Sequence, residues 1–113
     1  MSLFSGRNFR GTLLLVLAVI VTSGPVLAQG DGATLFKSKC AGCHSADGSG
    51  TGPAGKAMHL RALGSADVQK QTDAQLAAII ADGKSPMPAF KDKVTSDQIK
   101  QLVAFIRSLA KKG

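Results

Sequence analysis

The sequence predicts an all-α fold organised around a cofactor, and three observations predict it. Thr72-Asp73-Ala74-Gln75 and Thr95-Ser96-Asp97-Gln98 both fit the capping box that opens a helix, and apolar residues follow each at helical spacing. No stretch reads convincingly as a strand. The only two cysteines of the chain stand in Cys40-Ala41-Gly42-Cys43-His44, a spacing suited to holding a prosthetic group.

With 113 residues the chain is one domain at most, and it carries a net charge of +7. It has no Glu, Trp or Tyr, so Phe is its only aromatic residue. A chain this short has trouble building a sufficient core from side chains alone and usually needs a metal or disulfides. The basic balance does not point to nucleic acid, because no stacking aromatics beyond Phe accompany it.

Residues 1–28 read as a signal peptide and 29–113 as the mature domain. Arg7 and Arg10 form a positive start, and Leu13 to Val21 is a nine-residue apolar run. Gly24-Pro25 breaks it, and Val26-Leu27-Ala28 fits a small-residue cleavage site. The run falls short of the roughly 20 apolar residues that span a bilayer. The two arginines are not adjacent, which excludes a twin-arginine signal. An uncleaved membrane anchor is the alternative. Removing 28 residues leaves 85 with a net charge of +5, since Arg7 and Arg10 go with them.

In the mature chain, Gly32 to Lys39 reads as a short helix with Asp31 as its N-cap, and Lys37 and Lys39 suit its C-terminal dipole. Ser45 to Gly55 is a Gly- and Ser-rich loop. Within it, Gly50-Thr51-Gly52-Pro53-Ala54-Gly55 matches G-x-G-x-x-G, and Lys56 nearly completes a phosphate-binding loop. Ala57 stands where Ser or Thr is needed, Pro53 removes a backbone donor, and no strand precedes it. The glycines are better read as letting the backbone pass close to a cofactor edge. A short helix is expected near Ala57 to Leu63. The first capping box starts a helix with Leu76, Ile79 and Ile80 on its apolar face, ending near Asp82-Gly83. Lys84-Ser85-Pro86-Met87-Pro88-Ala89-Phe90 is a loop with one methionine between two prolines. The second box opens the most regular helix, with Ile99, Leu102, Val103, Ile106 and Leu109 in register and Lys111 and Lys112 at its end.

C-x-x-C-H is the haem-attachment pattern: each sulfur adds to a vinyl group and the imidazole binds the iron. Within one turn, the sulfurs of Cys40 and Cys43 diverge enough to reach neighbouring vinyls, with His44 drawn under the ring centre. The competing readings are a thioredoxin-like redox pair, a disulfide clip and half of a zinc site. The first should sit in a βαβ pattern, and the last wants a second ligand cluster. For the other axial position the candidates are Met58, His59 and Met87. Met87 is favoured because Pro86 and Pro88 leave its backbone few conformations, and a weak thioether ligand gains from being held in place. Met58, His59 and an open position remain alternatives, and core filling is the ordinary fate of a lone Met.

With these motifs in view, the chain from about Gly32 to Leu109 resembles a small class I cytochrome c of the bacterial periplasm. The residues that carry the resemblance are the Cys40–His44 motif, Gly52-Pro53, Met87-Pro88-Ala89-Phe90 and the closing amphipathic helix. The resemblance implies three to five short helices wrapped around one covalently bound haem. It also implies that Gly32 and Phe36 pack across the last helix, with Leu102 and Phe105 as their partners. A further implication is that the Pro53 carbonyl accepts the Nδ1 proton of His44. Family members often hold a haem propionate with Trp or Tyr; this chain has neither, so Arg61, His59 or a lysine has to substitute.

Two protein ligands leave no vacancy for a substrate, and the chain offers no nucleophile, general base or paired carboxylates near the motif. The expected function is therefore single-electron transfer in the periplasm rather than enzymatic activity. The protein is expected to be a monomer that neither binds nucleic acid nor takes a small-molecule substrate. Lys37, Lys39, Lys56, Lys84, Lys91 and Lys93 could steer it to acidic patches on membrane respiratory complexes, or be a merely solvated surface. A dedicated haem subunit of a dehydrogenase or oxidase is the second expectation, and a ligand-binding cytochrome with an open iron position the third.

Overall fold

The structure, a computed structural model, describes residues 29–112. The expected signal peptide and its cleavage site lie outside the described residues. Helix α1 runs over Gln29–Lys39, α2 over Ala41–His44, α3 over Pro53–Ala57, α4 over Ala66–Gln69, α5 over Asp73–Asp82 and α6 over Ser96–Ser108. A 3₁₀ turn, Leu109–Lys112, extends α6. Among the described residues the only strand-like pairing is a single bridge between Lys84 and Met87, so the fold is all-α as expected. No helix of the described residues is long and apolar enough to cross a membrane.

Both capping boxes form as the sequence predicts. Thr72 Oγ1 accepts from the Gln75 N–H (3.1 Å) while Gln75 Oε1 accepts from the Thr72 N–H (2.8 Å). Thr95 and Gln98 repeat the arrangement at the same distances. Each box satisfies two of the amide donors that a helix start leaves open, and its Thr contributes about 1 kcal/mol.

The core lies where α1, α5 and α6 meet. Helix α6 buries Ile99, Leu102, Val103 and Ile106, α5 buries Leu76 and Ile80, and α1 contributes Phe36. Val68, Val94 and Leu109 are buried as well. Each such side chain stabilises the fold by about 1.5–3 kcal/mol relative to exposure. The α1–α6 crossing is the most extensive helix contact. It is close because Gly32 has no side chain: a Cβ there would strike the Gln101 carbonyl and come within 3.4 Å of Phe105 Cβ. One turn later the Phe36 and Phe105 rings meet at a tilt of 43°, with centroids 4.8 Å apart. The expected packing of Gly32 and Phe36 across the last helix is thus observed, with the Gln101 backbone as an added neighbour.

Two local expectations are corrected, and one element is added. Helix α1 starts before Asp31, which sits inside its first turn and favours the dipole rather than acting as N-cap. The helix expected at Ala57 to Leu63 lies earlier, at Pro53–Ala57, because Pro53 takes the first helical position, where its missing N–H costs nothing. His59, with φ of 52°, ends any continuation. Helix α4 had no counterpart in the sequence reading; one turn is too short to show a period.

Arg107 ties the α4 region to α6. Its Nε donates to Asp73 Oδ1 (2.8 Å) and its Nη1 to the Gln69 carbonyl (2.8 Å), while Nη2 donates to the Gln71 carbonyl. Gln69 Nε2 in turn donates to the carbonyls of Leu63 (2.8 Å) and Ile106 (2.9 Å).

Candidate functional site

The chain leaves α1 at Cys40, whose N–H still bonds the Phe36 carbonyl (2.8 Å), and re-enters a single helical turn, α2. His44 closes that turn through its N–H to the Cys40 carbonyl (2.9 Å). Two free thiols, Cys40 half-buried and Cys43 exposed, and one imidazole therefore share one turn. The His44 ring lies 6.4 Å from the Phe36 ring, centroid to centroid, so the turn rests on the α1 end of the core.

Burial lowers the His44 pKa from its ordinary value, which keeps the imidazole neutral at neutral pH, the form that can donate a lone pair to a metal. Burial also raises the Cys40 thiol, against the nearby Lys39 charge and together with Cys43. A redox-active Cys pair uses a lowered thiol, which the burial of Cys40 does not supply. No cluster of three or more His, Cys, Asp or Glu side chains occurs among the described residues, which leaves the zinc reading without further ligands.

His44 Nδ1 is buried and has no hydrogen-bond partner. The bond expected from it to the Pro53 carbonyl is therefore not formed in this structure. Pro53, whose carbonyl is the expected acceptor, is the first residue of α3.

The loop after His44 folds back on itself. Gly50 N–H donates to the His44 carbonyl (2.9 Å), Gly48 N–H to the Ser45 carbonyl (3.0 Å), and Leu63 N–H to the Gly48 carbonyl (2.8 Å). Its glycines serve close approaches of protein to protein. A Cβ on Gly55 would strike the Gly50 carbonyl and come within 2.9 Å of the Cys43 carbonyl, and one on Gly48 would reach 2.5 Å from Leu109 Cδ1. Of the G-x-G-x-x-G match, Gly50 and Gly55 meet in these contacts, while a Cβ on Gly52 would reach only the Ser45 Oγ, at 3.3 Å. Ser45 stands apart: at φ 66° and ψ 154° it occupies a region essentially reserved to glycine, at a cost of about 1–3 kcal/mol.

Met87 is half-buried and packs against the core cluster. Its loop is a tight turn, with the Ser85–Pro86 peptide cis and reciprocal backbone bonds between Lys84 and Met87 (2.8 and 3.1 Å). Phe90 N–H then donates to the Ile80 carbonyl (3.0 Å), which ties the loop back to α5. Gly83, the C-cap of α5, has φ 77° and ψ 167°, and a Cβ there would lie 2.7 Å from the Met87 carbonyl oxygen. Of the other ligand candidates, Met58 is the half-buried C-cap of α3, and His59 is exposed. The sequence reading placed Gly83 only as a helix end and did not single out Ser45 or Arg107. The Gly83 role had a visible signal in the glycine preceding a Pro-rich loop; the other two needed the tertiary arrangement.

These donors fit a covalently held haem: paired thiols in one turn, a neutral imidazole with an orphaned buried nitrogen, and a thioether on a stiff loop. Between residues 40 and 62, moreover, the only buried residues are glycines, so that half of the site has no side-chain core of its own. Fold and site together define a small all-helical c-type cytochrome. Residues 28–106 match the family model described as cytochrome c oxidase, cbb3-type, subunit III. Cytochrome c-551 of Stutzerimonas stutzeri is 39% identical over 101 residues, covering 85% of this chain and 92% of that protein. Cytochrome c6 of Leptolyngbya boryana is 34% identical over 82 residues, covering 73% of this chain and 93% of that protein. The solved structure of the KustC0563 c-type cytochrome superposes with a TM-score of 0.65 at 32% identity, covering 70% of this chain and 96% of that one. The chain belongs to the class I monohaem cytochromes c. Its cofactor is covalently bound haem c, and it is an electron carrier rather than an enzyme.

Proposed function

We propose that the protein carries single electrons between redox complexes in the periplasm, after export by residues 1–28. In this reading Cys40 and Cys43 each add an S–H across a haem vinyl group, His44 is the proximal iron ligand and Met87 the distal one. Haem supplies one iron that changes charge by a single unit, and thioether ligation favours its ferrous form. The chain's part is to hold both ligands still, so that a change of charge needs little change of geometry. The observation that carries the reading is α2 itself, one turn that presents two free thiols and a half-buried imidazole whose buried Nδ1 has no protein partner. Pro53, at the start of α3, remains the proposed acceptor for that nitrogen once the ring is fixed by a metal.

The basic surface supports docking to acidic partners. The described ion pairs draw on Lys70, Lys91, Lys100 and Arg107. Lys37, Lys39, Lys56, Lys84 and Lys93 are exposed and take part in none of them, and they flank the segments that carry Cys40–His44 and Met87. Lys91, expected among the steering residues, lies 3.8 Å from Asp82 and is partly offset by it. A monomeric carrier with this charge distribution should associate with an acidic redox complex more slowly as salt rises.

A second reading, a dedicated haem subunit of an oxidase, is favoured by the description of the matching family model. Co-purification with one membrane complex distinguishes it from a free carrier. The ligand assignment is tested by the ferric optical spectrum of the holoprotein. Met87→Ala should abolish the long-wavelength sulfur-to-iron band, and survival of the band would move the role to Met58.

A further inference from the structure

Ser45 is the residue immediately after His44, and its backbone adopts φ 66° and ψ 154°. Gly48, Gly50 and Gly83, the other residues of the two site loops with positive φ, are glycines, which adopt such angles without steric cost. A serine at this point is locally unfavourable, so its side chain must contribute something that glycine would not. The structure shows what it contributes. Ser45 Oγ accepts a hydrogen bond from the Gly52 N–H at 3.1 Å, across seven residues of loop. Gly52 is the N-cap of α3 and has no side chain of its own to cap with. The same loop is closed beside it by the bond from Gly50 N–H to the His44 carbonyl (2.9 Å). Ser45 N–H, in turn, bonds the Ala41 carbonyl (2.9 Å), which caps α2. Ser45 thus joins the end of the turn that presents His44 to the start of α3, while its backbone reverses the chain between them.

We propose that Ser45 is a positioning residue for His44: its hydroxyl clasps the Gly52 amide and holds the strained reversal that fixes the orientation of the imidazole. The proposal rests on the reading of His44 as the iron ligand. Three consequences separate this role from ordinary loop stability. The clasp is an acceptor, so Ser45→Ala removes it while leaving the backbone strain in place. Ser45→Gly removes both, and its backbone fits without distortion. A hydroxyl that acts only on stability would therefore leave the ring orientation alone in the glycine variant, whereas a positioning hydroxyl would not.

The test uses ferric holoprotein of the wild type, Ser45→Ala and Ser45→Gly, with proton NMR of the hyperfine-shifted haem methyl and His44 ring resonances. Those shifts report the plane of the axial imidazole. Amide exchange at Gly52 is measured in parallel. The expected result is a changed methyl-shift pattern in both variants, with Gly52 exchange accelerated about tenfold, as loss of a typical hydrogen bond implies. The melting temperature should be higher for Ser45→Gly than for Ser45→Ala. A wild-type methyl pattern in Ser45→Gly would overturn the proposal even if Ser45→Ala failed to fold. If the wild-type His44 ring showed no hyperfine shift, the iron-ligand reading would fall, and the proposal with it; a shifted ring in all three proteins with an unchanged pattern would sink the proposal alone.

Discussion

Replacing Gly83 with alanine should detach the Met87 loop, and the structure sets the size of the effect. A Cβ built on Gly83 lies 2.7 Å from the Met87 carbonyl oxygen, 2.8 Å from the Ala89 nitrogen and 2.9 Å from the Pro88 carbonyl carbon. All three are backbone atoms, so no flexible side-chain end can swing away to make room. The angles φ 77° and ψ 167° add a backbone strain of about 1–3 kcal/mol for any residue with a side chain. Crowding in a packed site adds a comparable 1–3 kcal/mol. Part of this is relieved when the loop lifts off α5, giving up the bond from Phe90 N–H to the Ile80 carbonyl. The net loss is therefore about 3 kcal/mol, which for a domain of this size lowers the melting temperature by about 12–24 °C. Thermal melts followed at the haem band and in the far ultraviolet measure it, together with the ferric sulfur-to-iron band, which should weaken. A variant within about 0.5 kcal/mol of wild type with that band intact would refute the reasoning, since 0.5 kcal/mol is the ordinary scatter of a neutral surface change.

Arg107→Ala should cost about 2–3 kcal/mol in a thermal melt, because it removes charge-assisted bonds and leaves the carbonyls of Gln69 and Gln71 without their donor; a loss below about 0.5 kcal/mol would show the cluster to be replaceable by water. The Asp67 carboxyl is held below its ordinary pKa by the hydrogen bond from Lys70, then by the charges of Lys70 and Arg61. Its folded pKa is depressed, so whatever it contributes to stability is present above the unfolded pKa and fades as pH falls through the folded one. In Lys70→Ala the Asp67 titration, followed by carboxyl NMR, should move up toward the ordinary value; an unmoved midpoint would remove Lys70 as the cause.

The elements legible in the sequence are those whose signals are local. The Thr72 and Thr95 boxes lie within four residues each, and α6 shows its period over Ile99, Leu102, Val103 and Ile106. The Cys40–His44 spacing is equally local, and the Pro-Met-Pro run announces a stiff loop without any knowledge of what it faces. What escaped depends on partners distant in the chain. Arg107 and Gln69 are 38 residues apart, and nothing in either neighbourhood announces the pairing. Helices α3 and α4 are too short for periodicity, so nothing local announces Pro53 as the first residue of a helix. The loop glycines were correctly read as sites of close approach. The protein surfaces that approach them come from elsewhere in the fold: Gly55 meets the Gly50 and Cys43 backbones, and Gly48 meets Leu109.

The distribution of the core leads to a prediction about folding. Among the described residues Phe36 is the only buried apolar side chain before Val68; every other one lies between Val68 and Leu109. From residue 40 to 62 only glycines are buried, so this segment removes little apolar area from water by itself. Yet it is ordered in the structure, where it links α1 to the rest of the chain. Ordering each of its residues costs about 1–2 kcal/mol of backbone entropy, which its own bonds and burial do not offset. A covalently held haem offers the missing apolar surface to this segment, so folding and haem attachment should be coupled. In Cys40→Ala/Cys43→Ala, made without thioether attachment, far-ultraviolet circular dichroism should show little helix and no cooperative melt. A helical, cooperatively melting form of that variant would mean that α1, α5 and α6 hold together on their own, and that the haem is a passenger of the fold.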